Sequence, residues 1–580
     1  MSSLGNFVWS IADQLRGPYK PHQYGDVILP MTIMRRLDCV LAPTRDKVRA
    51  IAAAEKKPEM VDVRVKRELK LGFHNTSEWT FAKLLGDPDG LAANLVDYLA
   101  GFSANIDVFE RFKFENTIHE LAEKNRLLIV VQKFAEVDLS PAAVSNAEMG
   151  DLFEELIRKF ADASNETAGE HFTPRDAIRL MVDLLFAGDD DALVGKGVVR
   201  TVYDPTAGTG GMLSIAEEHL HKMNPGARLR LYGQEINDQS YAICKSDMIA
   251  KGQDAQNIKL GDTLAEDLFA GTTFDYCLSN PPYGVDWKAS EAAVKKDRAD
   301  HGEASRFRAG LPAVSDGQML FLQHLASKMR PVKDGGGRAG IVLNGSPLFN
   351  GSAGSGPSEI RRWLLESDLV DAIVALPTNM FYNTGIATYV WVLDNNKPTE
   401  RVGKVQLIDG SGFWTKMRKN LGQKGREVGE ADRAQILKLY AAFEDGEHAK
   451  VFSTDAFGYW TITVERPLLN DDGKVVTDRA GKPKPDSKKR DTENIPFTYG
   501  GNALGEEGRE ETIKAYFEAE VLPHVPDAWI DAKKTKVGYE IPFTRHFYQY
   551  VPPRPLEEID ADLEAQVAKI LKLLREVEGV

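Results

Sequence analysis

The chain has 580 residues, of which 43% are apolar and 27% charged, so it reads as a globular protein of about two to four domains. No run approaches the roughly 18 consecutive apolar residues of a membrane span, the start does not resemble a secretory signal, and the three cysteines form no CxxC pair. We therefore expect a cytoplasmic protein without a structural metal, and the net charge of −14 argues against a chain that grips DNA unaided.

The first predicted domain, residues 1–160, is helical. Phe7, Ile11 and Leu15 recur at four-residue steps, and a second apolar stripe covers 27–37 after a turn at 17–21. Similar stripes follow, and the last of them covers 149–160. We interpret these stripes as the buried faces of core helices.

Short β-branched runs alternate with helical stretches from Val198 onward. This alternation predicts a doubly wound, mainly parallel α/β sheet within residues 161–465. The predicted strands are 198–203, 228–233, 258–260, 274–279, 339–343, 370–376 and 386–393. Because only a short connection joins the last two strands, we expect them to pair antiparallel.

Two polar segments lack clear periodicity. The segments 286–318 and 466–495 are predicted to be mobile, either as solvated loops or, for the second, as a linker. The alternative for each is a contact with nucleic acid or with a partner protein.

Residues 496–580 are predicted to form a helical C-terminal region. Its last part carries apolar residues that step by four and three positions, namely Leu563, Val567, Ile570, Leu574 and Val577. So narrow a stripe fits a terminal helix that either docks on its own domain or pairs with a partner helix.

A glycine-rich loop, Asp-Pro-Thr-Ala-Gly-Thr-Gly-Gly over 204–211, lies between a predicted strand and a predicted helix. Glycines open backbone torsions that are closed to other residues and let a ligand approach the main chain. Doubly wound sheets bind ligands at this end of their strands, so the loop predicts a nucleotide-type pocket. The spacing of Gly208, Gly210 and Gly211 does not match a dinucleotide fingerprint, and the chain has no GxxxxGK[ST] phosphate loop.

Two carboxylates stand at the ends of the next predicted strands. Glu235 is placed to accept hydrogen bonds from both hydroxyls of a ribose, and Asp262 is placed to accept from an adenine amine. Since a phosphate loop is missing, these positions predict an adenosine ligand without a phosphate chain.

The tetrapeptide Asn280-Pro281-Pro282-Tyr283 ends the fourth predicted strand at the same edge of the sheet. The two prolines stiffen the backbone and remove two donors, which leaves the Asn280 side-chain oxygen and the Pro281 carbonyl as fixed acceptors. Two acceptors select an amine and can aim its lone pair at a methyl donor for direct in-line transfer. Tyr283 offers a face on which a flipped-out base can stack.

These motifs together resemble a known family. Asp-Pro-x-x-Gly-x-Gly followed at a distance by Asn-Pro-Pro-Tyr resembles the amino-methyltransferases, which have a Rossmann-like, seven-stranded sheet. Gly-Glu-His-Phe-Thr-Pro-Arg over 169–175 is similar to the cofactor motif of their adenine-N6 branch. With Ile-Ala-Asp-Gln-Leu-Arg-Gly over 11–17 and Val-Ile-Leu-Pro over 27–30, the chain resembles the modification subunit, HsdM, of type I restriction-modification systems.

The resemblance implies S-adenosylmethionine as the cofactor and methyl transfer to adenine N6 in duplex DNA by base flipping. It assigns catalysis to Asn280, Pro281, Pro282 and Tyr283. The resemblance and the strand-end positions together assign cofactor binding to Glu170, His171, Phe172, Thr173, Pro174, Arg175, Asp204, Thr206, Ala207, Gly208, Gly210, Glu235 and Asp262.

The same resemblance implies partners. It predicts a helical N-terminal domain that closes over DNA and a DNA-specificity subunit that binds the C-terminal helix. It also implies two copies of this chain per complex, and it leaves open whether a restriction or translocase subunit joins them.

Two other functions stay open. The same acceptors suit any planar amine, so methylation of RNA or of a protein glutamine is one alternative. A non-catalytic scaffold that binds the cofactor is the other, although a scaffold would not need the Asn280 and Pro281 pair. Cytosine-C5 transfer is excluded because it requires a nucleophilic thiolate, typically after proline, and no cysteine here follows one.

Overall fold

The N-terminal part of the chain is helical, as the apolar stripes predict. A computed structural model of the protein describes residues 3–20, 23–145, 148–149, 152–153, 156, 173–187, 189, 193–195, 197–251, 253–382, 384–501, 508–548 and 555–578. The first helices are α1 (Ser3–Leu15), α2 (Tyr24–Leu41), α3 (Arg45–Ala54), α4 (Pro58–Leu69), α5 (Phe81–Leu85), α6 (Leu91–Ala100), α7 (Val108–Arg111), α8 (Phe114–Glu123) and α9 (Leu127–Ala135). The two helices predicted around the turn at 17–21 are therefore confirmed as α1 and α2.

The apolar faces of these helices share one core. Ile11 and Leu15 of α1 are fully buried, and α2 is buried along most of its length. The stripe predicted over 149–160 is only partly within the described residues. Its described members, Met149, Leu152, Phe153 and Leu156, are buried in the same core.

A strand and helix alternation follows, as predicted. Its elements are α10 (Arg175–Phe186), β1 (Val199–Asp204), α11 (Gly211–Met223), β2 (Arg228–Glu235), α12 (Asp238–Ala250), β3 (Ile258–Leu260), β4 (Tyr276–Ser279), α13 (Glu291–His301), α14 (Gln318–Lys328), β5 (Arg338–Asn344), α15 (Ser346–Phe349), α16 (Gly356–Glu366), β6 (Val370–Ala375), β7 (Thr388–Asp394), β8 (Lys404–Asp409), β9 (Thr415–Leu421), β10 (Lys424–Glu427), α17 (Glu430–Ala442) and β11 (Ala449–Ser453). Strands β5, β6 and β7 are buried runs of the kind that central strands require.

The main sheet has nine strands among the described residues, in the order β11-β8-β6-β7-β5-β4-β1-β2-β3. Adjacent strands are parallel except where β7 pairs with β5 and β6 and where β11 pairs with β8. The doubly wound sheet and the antiparallel pairing of the last two predicted strands are confirmed. The count of seven was too low, because β8 and the partly exposed edge strand β11 extend the sheet beyond the last run that the sequence pattern identified.

Topology brings one set of strand ends to a common edge. Since β1, β2, β3, β4, β5, β6 and β8 run in the same direction, their carboxyl ends share what we call the carboxyl edge. The helical domain is braced beside this edge on α12, where Lys245 donates a 2.7 Å hydrogen bond to Asp107. Ala242 and Ile243 of α12 belong to the helical core. Helix α12, which follows Glu235, is thereby held between the main sheet and the helical domain.

The segment 286–318 is not the unstructured loop that its polar sequence suggested. It contains α13 and packs against the carboxyl edge, where Arg306 donates to the Thr263 carbonyl at 2.7 Å. Val294 is the only buried residue of α13, so this helix lacks the apolar periodicity by which helices are identified.

After β11 the chain forms a second, antiparallel sheet, where we had predicted a linker and a helical region. Its strands are β12 (Gly458–Glu465), β13 (Asp491–Pro496), β14 (Trp529–Ile530) and β15 (Lys536–Tyr539), with α18 (Arg509–Tyr516) between β13 and β14. The strands β14 and β15 are too short to show an alternating pattern in the sequence. Tyr539 donates its backbone N–H to Ser358 of α16 at 3.0 Å, which joins this sheet to the main domain.

The insertion 466–490 between β12 and β13 consists of three eight-residue repeats, which begin at Arg466, Lys474 and Lys482, followed by Arg490. The third residues of the repeats form a ring of 2.8 Å backbone bonds, in which Leu468 donates to Lys484, Lys484 to Val476, and Val476 to Leu468. An Asn or Asp closes each turn by accepting from a backbone N–H two residues ahead, and these residues are Asn470, Asp478 and Asp486. The predicted mobile linker is therefore a folded insertion with an internal repeat.

Residues 542–580 form a separate compact unit with α19 (Phe543–Phe547) and α20 (Leu556–Glu578). The predicted stripe lies on α20, where Leu563, Val567 and Ile570 are each more than half exposed. The side chains of Leu574 and Val577 lie outside the described residues. In the part of the chain that is described, no helix combines the length and the apolar character needed to cross a bilayer.

Candidate functional site

A cavity of about 310 Å³ opens at the carboxyl edge beside the loop that follows β1. Most of the residues predicted at the site line its wall. They are Thr173, Asp204, Thr206, Ala207, Gly208, Glu235, Asp262, Asn280 and Pro282. The topology therefore brings the proposed cofactor and catalytic residues to one crevice.

The glycine loop turns sharply between β1 and α11. Gly208 and Gly210 have φ angles of 53° and 84°, in the region that favours glycine. A Cβ atom on Gly210 would lie 2.9 Å from the Cys244 sulfur, so Gly210 supports the loop from behind instead of lining the cavity. The Ala207 backbone N–H donates to the Gln234 carbonyl at 3.0 Å and ties the loop to β2.

Asp204 anchors the start of this loop from a buried position. Its carboxylate accepts from the Thr206 backbone N–H at 2.9 Å and from the Thr206 hydroxyl at 3.2 Å. Burial raises the pKa of Asp204 to about 7, and the two bonds from Thr206 only partly oppose this. The Thr206 hydroxyl also lies 2.8 Å from the Ser279 hydroxyl, which joins the loop to the strand that ends at Asn280.

Glu235 is held by two backbone donors. One carboxylate oxygen accepts from the Gly208 N–H and the other from the Asn237 N–H, each at 2.8 Å. The next residue, Ile236, lines the cavity and is 66% exposed, so it offers an apolar surface beside the carboxylate. Ribose hydroxyls at Glu235 and a purine face on Ile236 would suit this pair.

Asp262 also lies on the cavity wall. It accepts from the Leu264 backbone N–H at 2.9 Å and from the Ser290 hydroxyl. Ser290 comes from the segment after the catalytic motif, so the connection beyond Asn280 folds back to close this side of the wall.

The wall is acidic. Asp204, Glu235, Asp262 and Asp286 line it, and no lysine, arginine or histidine does so among the described residues. Such a cavity suits a cationic nucleoside and disfavours a phosphate ligand. The residues therefore fit S-adenosylmethionine, which carries an adenosine and a positive sulfonium.

Asn280 is oriented from two sides. Its amide nitrogen donates to the Thr173 hydroxyl at 2.8 Å, and its oxygen accepts from the Tyr283 hydroxyl at 2.6 Å. Burial raises the pKa of Tyr283 well above its usual value, so this hydroxyl keeps the proton that it donates. These two bonds fix which end of the amide is the acceptor.

The sequence predicts that Tyr283 offers a stacking face to the cavity. In the structure Tyr283 does not present its ring there. Its ring packs edge-on against Phe381, with 5.9 Å between ring centroids. Neither Tyr283 nor Pro281 is on the cavity wall, whereas Asn280 and Pro282 are. In this conformation Tyr283 acts as a support for Asn280.

The motif at 169–175 is only partly placed. Glu170, His171 and Phe172 lie outside the described residues. Pro174 precedes the first residue of α10, and Arg175 lines a second, separate cavity. Of this motif, Thr173 alone among the described residues reaches the predicted site.

Several wall residues were missed by sequence reasoning. Trp287 and Ser290 come from the segment 286–318, which the sequence predicts to be a loop, and Phe321 comes from α14. Ile236 was also missed, although the sequence holds a local signal for it: it is an apolar residue directly after the strand-end carboxylate Glu235.

The sheet order, the acidic cavity and the oriented Asn280 amide define a Rossmann-like, S-adenosylmethionine-dependent methyltransferase of an amino group. Residues 144–457 match the family model described as N-6 DNA Methylase, and residues 4–134 match the HsdM N-terminal domain. The chain belongs to the N-6 DNA methylase family. The predicted cofactor, the adenine-specific DNA methyltransferase activity and the resemblance to type I modification subunits are thereby confirmed.

Relatives along most of the chain agree with this assignment. The chain is 24% identical over 458 residues to the type I restriction enzyme MjaIX methylase subunit of Methanocaldococcus jannaschii, and the match covers 76% of this chain and 77% of that protein. It is 26% identical to a solved type I restriction-modification methyltransferase subunit from Streptococcus thermophilus. That likeness has a TM-score of 0.60 and covers 78% of this chain and 96% of the other.

Proposed function

We propose that this chain works as the modification subunit of a type I restriction-modification complex and methylates adenine N6 in duplex DNA after the target base has flipped out. The observation that carries the proposal is the oriented Asn280 amide, which shares one cavity with Gly208 and Glu235. An acceptor fixed at this position selects a hydrogen-bond donor such as an amine and disfavours a carbonyl, which has no hydrogen to donate.

The acidic wall holds the methyl donor. Bound S-adenosylmethionine supplies an electrophilic methyl group on a positive sulfur. Glu235 would accept from the ribose hydroxyls, Ile236 would cover one face of the adenine ring, and Asp262 would accept from the adenine amine. Asp204 and Thr206 keep the glycine loop in place. These roles divide the cavity between cofactor binding on β2 and β3 and catalysis at the end of β4.

Catalysis is a matter of positioning. The Asn280 oxygen, on the cavity wall, accepts one hydrogen of the target amine and directs its lone pair into the cavity. The Pro281 carbonyl is off the wall in this conformation, so it must turn toward the base to accept the second hydrogen. The Tyr283 hydroxyl now holds the Asn280 oxygen, so it must share or release that oxygen when the base enters. Methyl transfer from the bound donor to this amine would form a C–N bond and break the C–S bond, and the amine would release one proton to water.

The C-terminal helix α20 provides the contact with a DNA-specificity subunit. Its apolar residues Leu563, Val567 and Ile570 are exposed at coiled-coil spacing, which a partner helix would cover. Two copies of the chain per complex and a cytoplasmic location belong to the same proposal.

Transfer of radioactive methyl groups tests the function. The full chain, alone and with its co-purified partner, is incubated with tritiated S-adenosylmethionine and unmethylated duplex DNA. We expect label in adenine N6 of DNA, and only when the partner is present. Label in RNA or protein would overturn the proposal, and cofactor binding without any transfer would favour the scaffold alternative.

A further inference from the structure

Strands β9 and β10 form a two-stranded hairpin, residues 415–427, that stands apart from both sheets. It carries five basic residues, Lys416, Arg418, Lys419, Lys424 and Arg426, and its one acidic residue is Glu427. This is a strong local excess of positive charge in a chain whose net charge is −14. The basic hairpin is not used by the chemistry described so far.

Topology places the basic hairpin at the carboxyl edge. It follows β8 directly, and β8 runs parallel to β6, so both strands end at the edge that also carries Asn280. The connection from β6 to β7 leaves from the same edge and meets the hairpin. The Gln423 N–H donates to the Tyr382 carbonyl at 2.8 Å, and the Gly425 N–H donates to the Asn379 carbonyl at 3.0 Å.

Two series of contacts lead from the hairpin to the catalytic motif. In the first, the hairpin donates hydrogen bonds to the carbonyls of Met380 and Tyr382. The residue between these two, Phe381, packs its ring against Tyr283. In the second, the buried Lys424 ammonium forms a 2.8 Å ion pair with Asp176 of α10.

Asp176 connects this second series of contacts to the catalytic motif. It lies three residues after Thr173, whose hydroxyl accepts from the Asn280 amide. It also accepts from the Val428 N–H at 3.0 Å, so both the ammonium and the backbone at the end of the hairpin are fixed to α10. The root of the hairpin is therefore rigid relative to the catalytic loop.

The charges at the outer part of the hairpin are free. Lys416, Arg418 and Lys419 are exposed, and none of them forms an ion pair with any residue that the structure describes. Lys424 and Arg426 differ, since Lys424 pairs with Asp176 and Arg426 lies 4.0 Å over the Trp414 ring. Two basic residues thus anchor the hairpin, and three are presented to solvent.

We infer that the basic hairpin is a phosphate-contacting arm that grips the DNA backbone beside the flipped adenine. The inference rests on the proposed function and adds a surface to it. The rigid root places three cations at the edge where the base must enter. Exposed lysines and arginines bind the DNA backbone mainly through charge, and phosphate contacts fix register and orientation without reading sequence.

The test compares two lysine pairs. In one variant of the full chain, Lys416→Gln and Lys419→Gln remove two charges from the hairpin. In the matched control, Lys333→Gln and Lys404→Gln remove two exposed charges before β5 and at the start of β8, at the opposite edge of the sheet. Binding of a labelled duplex is measured by anisotropy at several salt concentrations, with and without the specificity subunit, and methyl transfer is measured in parallel.

The salt dependence gives the expected size. Each phosphate contact contributes a slope of about −0.9 in the logarithm of affinity against the logarithm of salt concentration. Loss of two contacts should reduce the slope by about 1.8 and weaken binding by up to about 60-fold at 0.1 M salt. The control should keep the wild-type slope, and both variants should keep cofactor affinity.

The outcomes separate two failures. If the wild type transfers methyl groups to DNA but the hairpin variant binds with the slope of the control, the inferred arm is wrong and the proposed function stands. A wild type that transfers no methyl groups to DNA contradicts the proposed function itself. A hairpin variant that loses the specificity subunit while keeping its DNA slope would make the hairpin a protein contact and overturn the inference.

Discussion

The Glu235 carboxylate offers the sharpest test of the cofactor site, because both of its oxygens already accept a backbone N–H. Gly208 donates to one oxygen and Asn237 to the other. In Glu235→Gln the amide replaces one oxygen by an NH2 group. Whichever way the amide is turned, its NH2 group faces a backbone N–H, so two donors oppose each other.

The expected loss follows from this geometry. In the variant the ribose hydroxyls meet a neutral amide, so one charge-assisted hydrogen bond to the cofactor, worth about 1.5–3 kcal/mol, is lost. We expect the affinity for S-adenosylmethionine to fall by about 10- to 150-fold, since about 1.4 kcal/mol corresponds to a factor of ten. The opposed donors also push the side chain away from the position that the ribose requires, so the effect should be at the upper end of this range.

Isothermal titration of the full chain with S-adenosylmethionine measures this directly. Glu218→Gln is the matched control, because Glu218 lies on α11 and pairs at the surface with Lys222 at 2.7 Å. It loses the same charge without touching the cofactor cavity. A Glu235→Gln variant that binds the cofactor within twofold of the wild type would refute the assignment of Glu235 to the ribose.

Three further predictions concern catalysis, pH and the insertion. Asn280→Ala should lower the rate of methyl transfer by about 100-fold or more at unchanged cofactor affinity, as measured by single-turnover kinetics and titration. Because Asp204 has a raised pKa of about 7, the wild type should lose about 1.4 kcal/mol of unfolding free energy relative to Asp204→Asn between pH 6 and 8. Replacing 466–489 by Asn-Gly should leave the Tm unchanged, because Glu465 and Arg490 are held as an ion pair where β12 and β13 meet.

Each of these has a contradicting result. Equal losses of rate and of cofactor affinity in Asn280→Ala would show that the cavity is not divided as proposed. The sign for Asp204 follows from proton binding: the folded state binds the proton more tightly, so stability is full below the unfolded pKa and is lost as pH rises to about 7. A pH-independent difference would contradict it. A fall in Tm of several degrees would show that the insertion 466–490 supports the second sheet.

The fold was predictable where buried helices and strands require a regular pattern of apolar residues in the sequence. The seven runs assigned to strands all appear, and the central ones among them, β4 to β7, are buried on both faces and therefore mainly apolar. The strand-end positions of Glu235 and Asn280 followed from the same pattern, since topology alone brings the ends of parallel strands together. The insertion 466–490 was missed because its repeats share turn chemistry and few apolar residues, so no hydrophobic period marks them.

The sequence predicted the polar residues that would contact the cofactor and the substrate, but it did not predict the other residues of the cavity wall. Asn280 and Glu235 were found because the chemistry requires those atom types at strand ends. Trp287 and Ser290 were not, because they come from the polar segment 286–318, which has no apolar periodicity to mark them as buried. Nor does a sequence show that Tyr283 points its hydroxyl at Asn280, which depends on the ring packing against Phe381.

Net charge is a poor guide to DNA binding in this protein, for a reason that can be tested. At 0.1 M salt the Debye length is about 10 Å, so a phosphate at the basic hairpin responds to Lys416, Arg418 and Lys419 and hardly to the total of −14. At about 0.01 M salt the Debye length is about 30 Å, and the acidic remainder of the chain then opposes binding. Affinity for DNA should therefore rise less steeply below about 0.05 M salt than the contact slope predicts. A strictly linear dependence down to the lowest salt would show that the acidic surface does not reach the DNA.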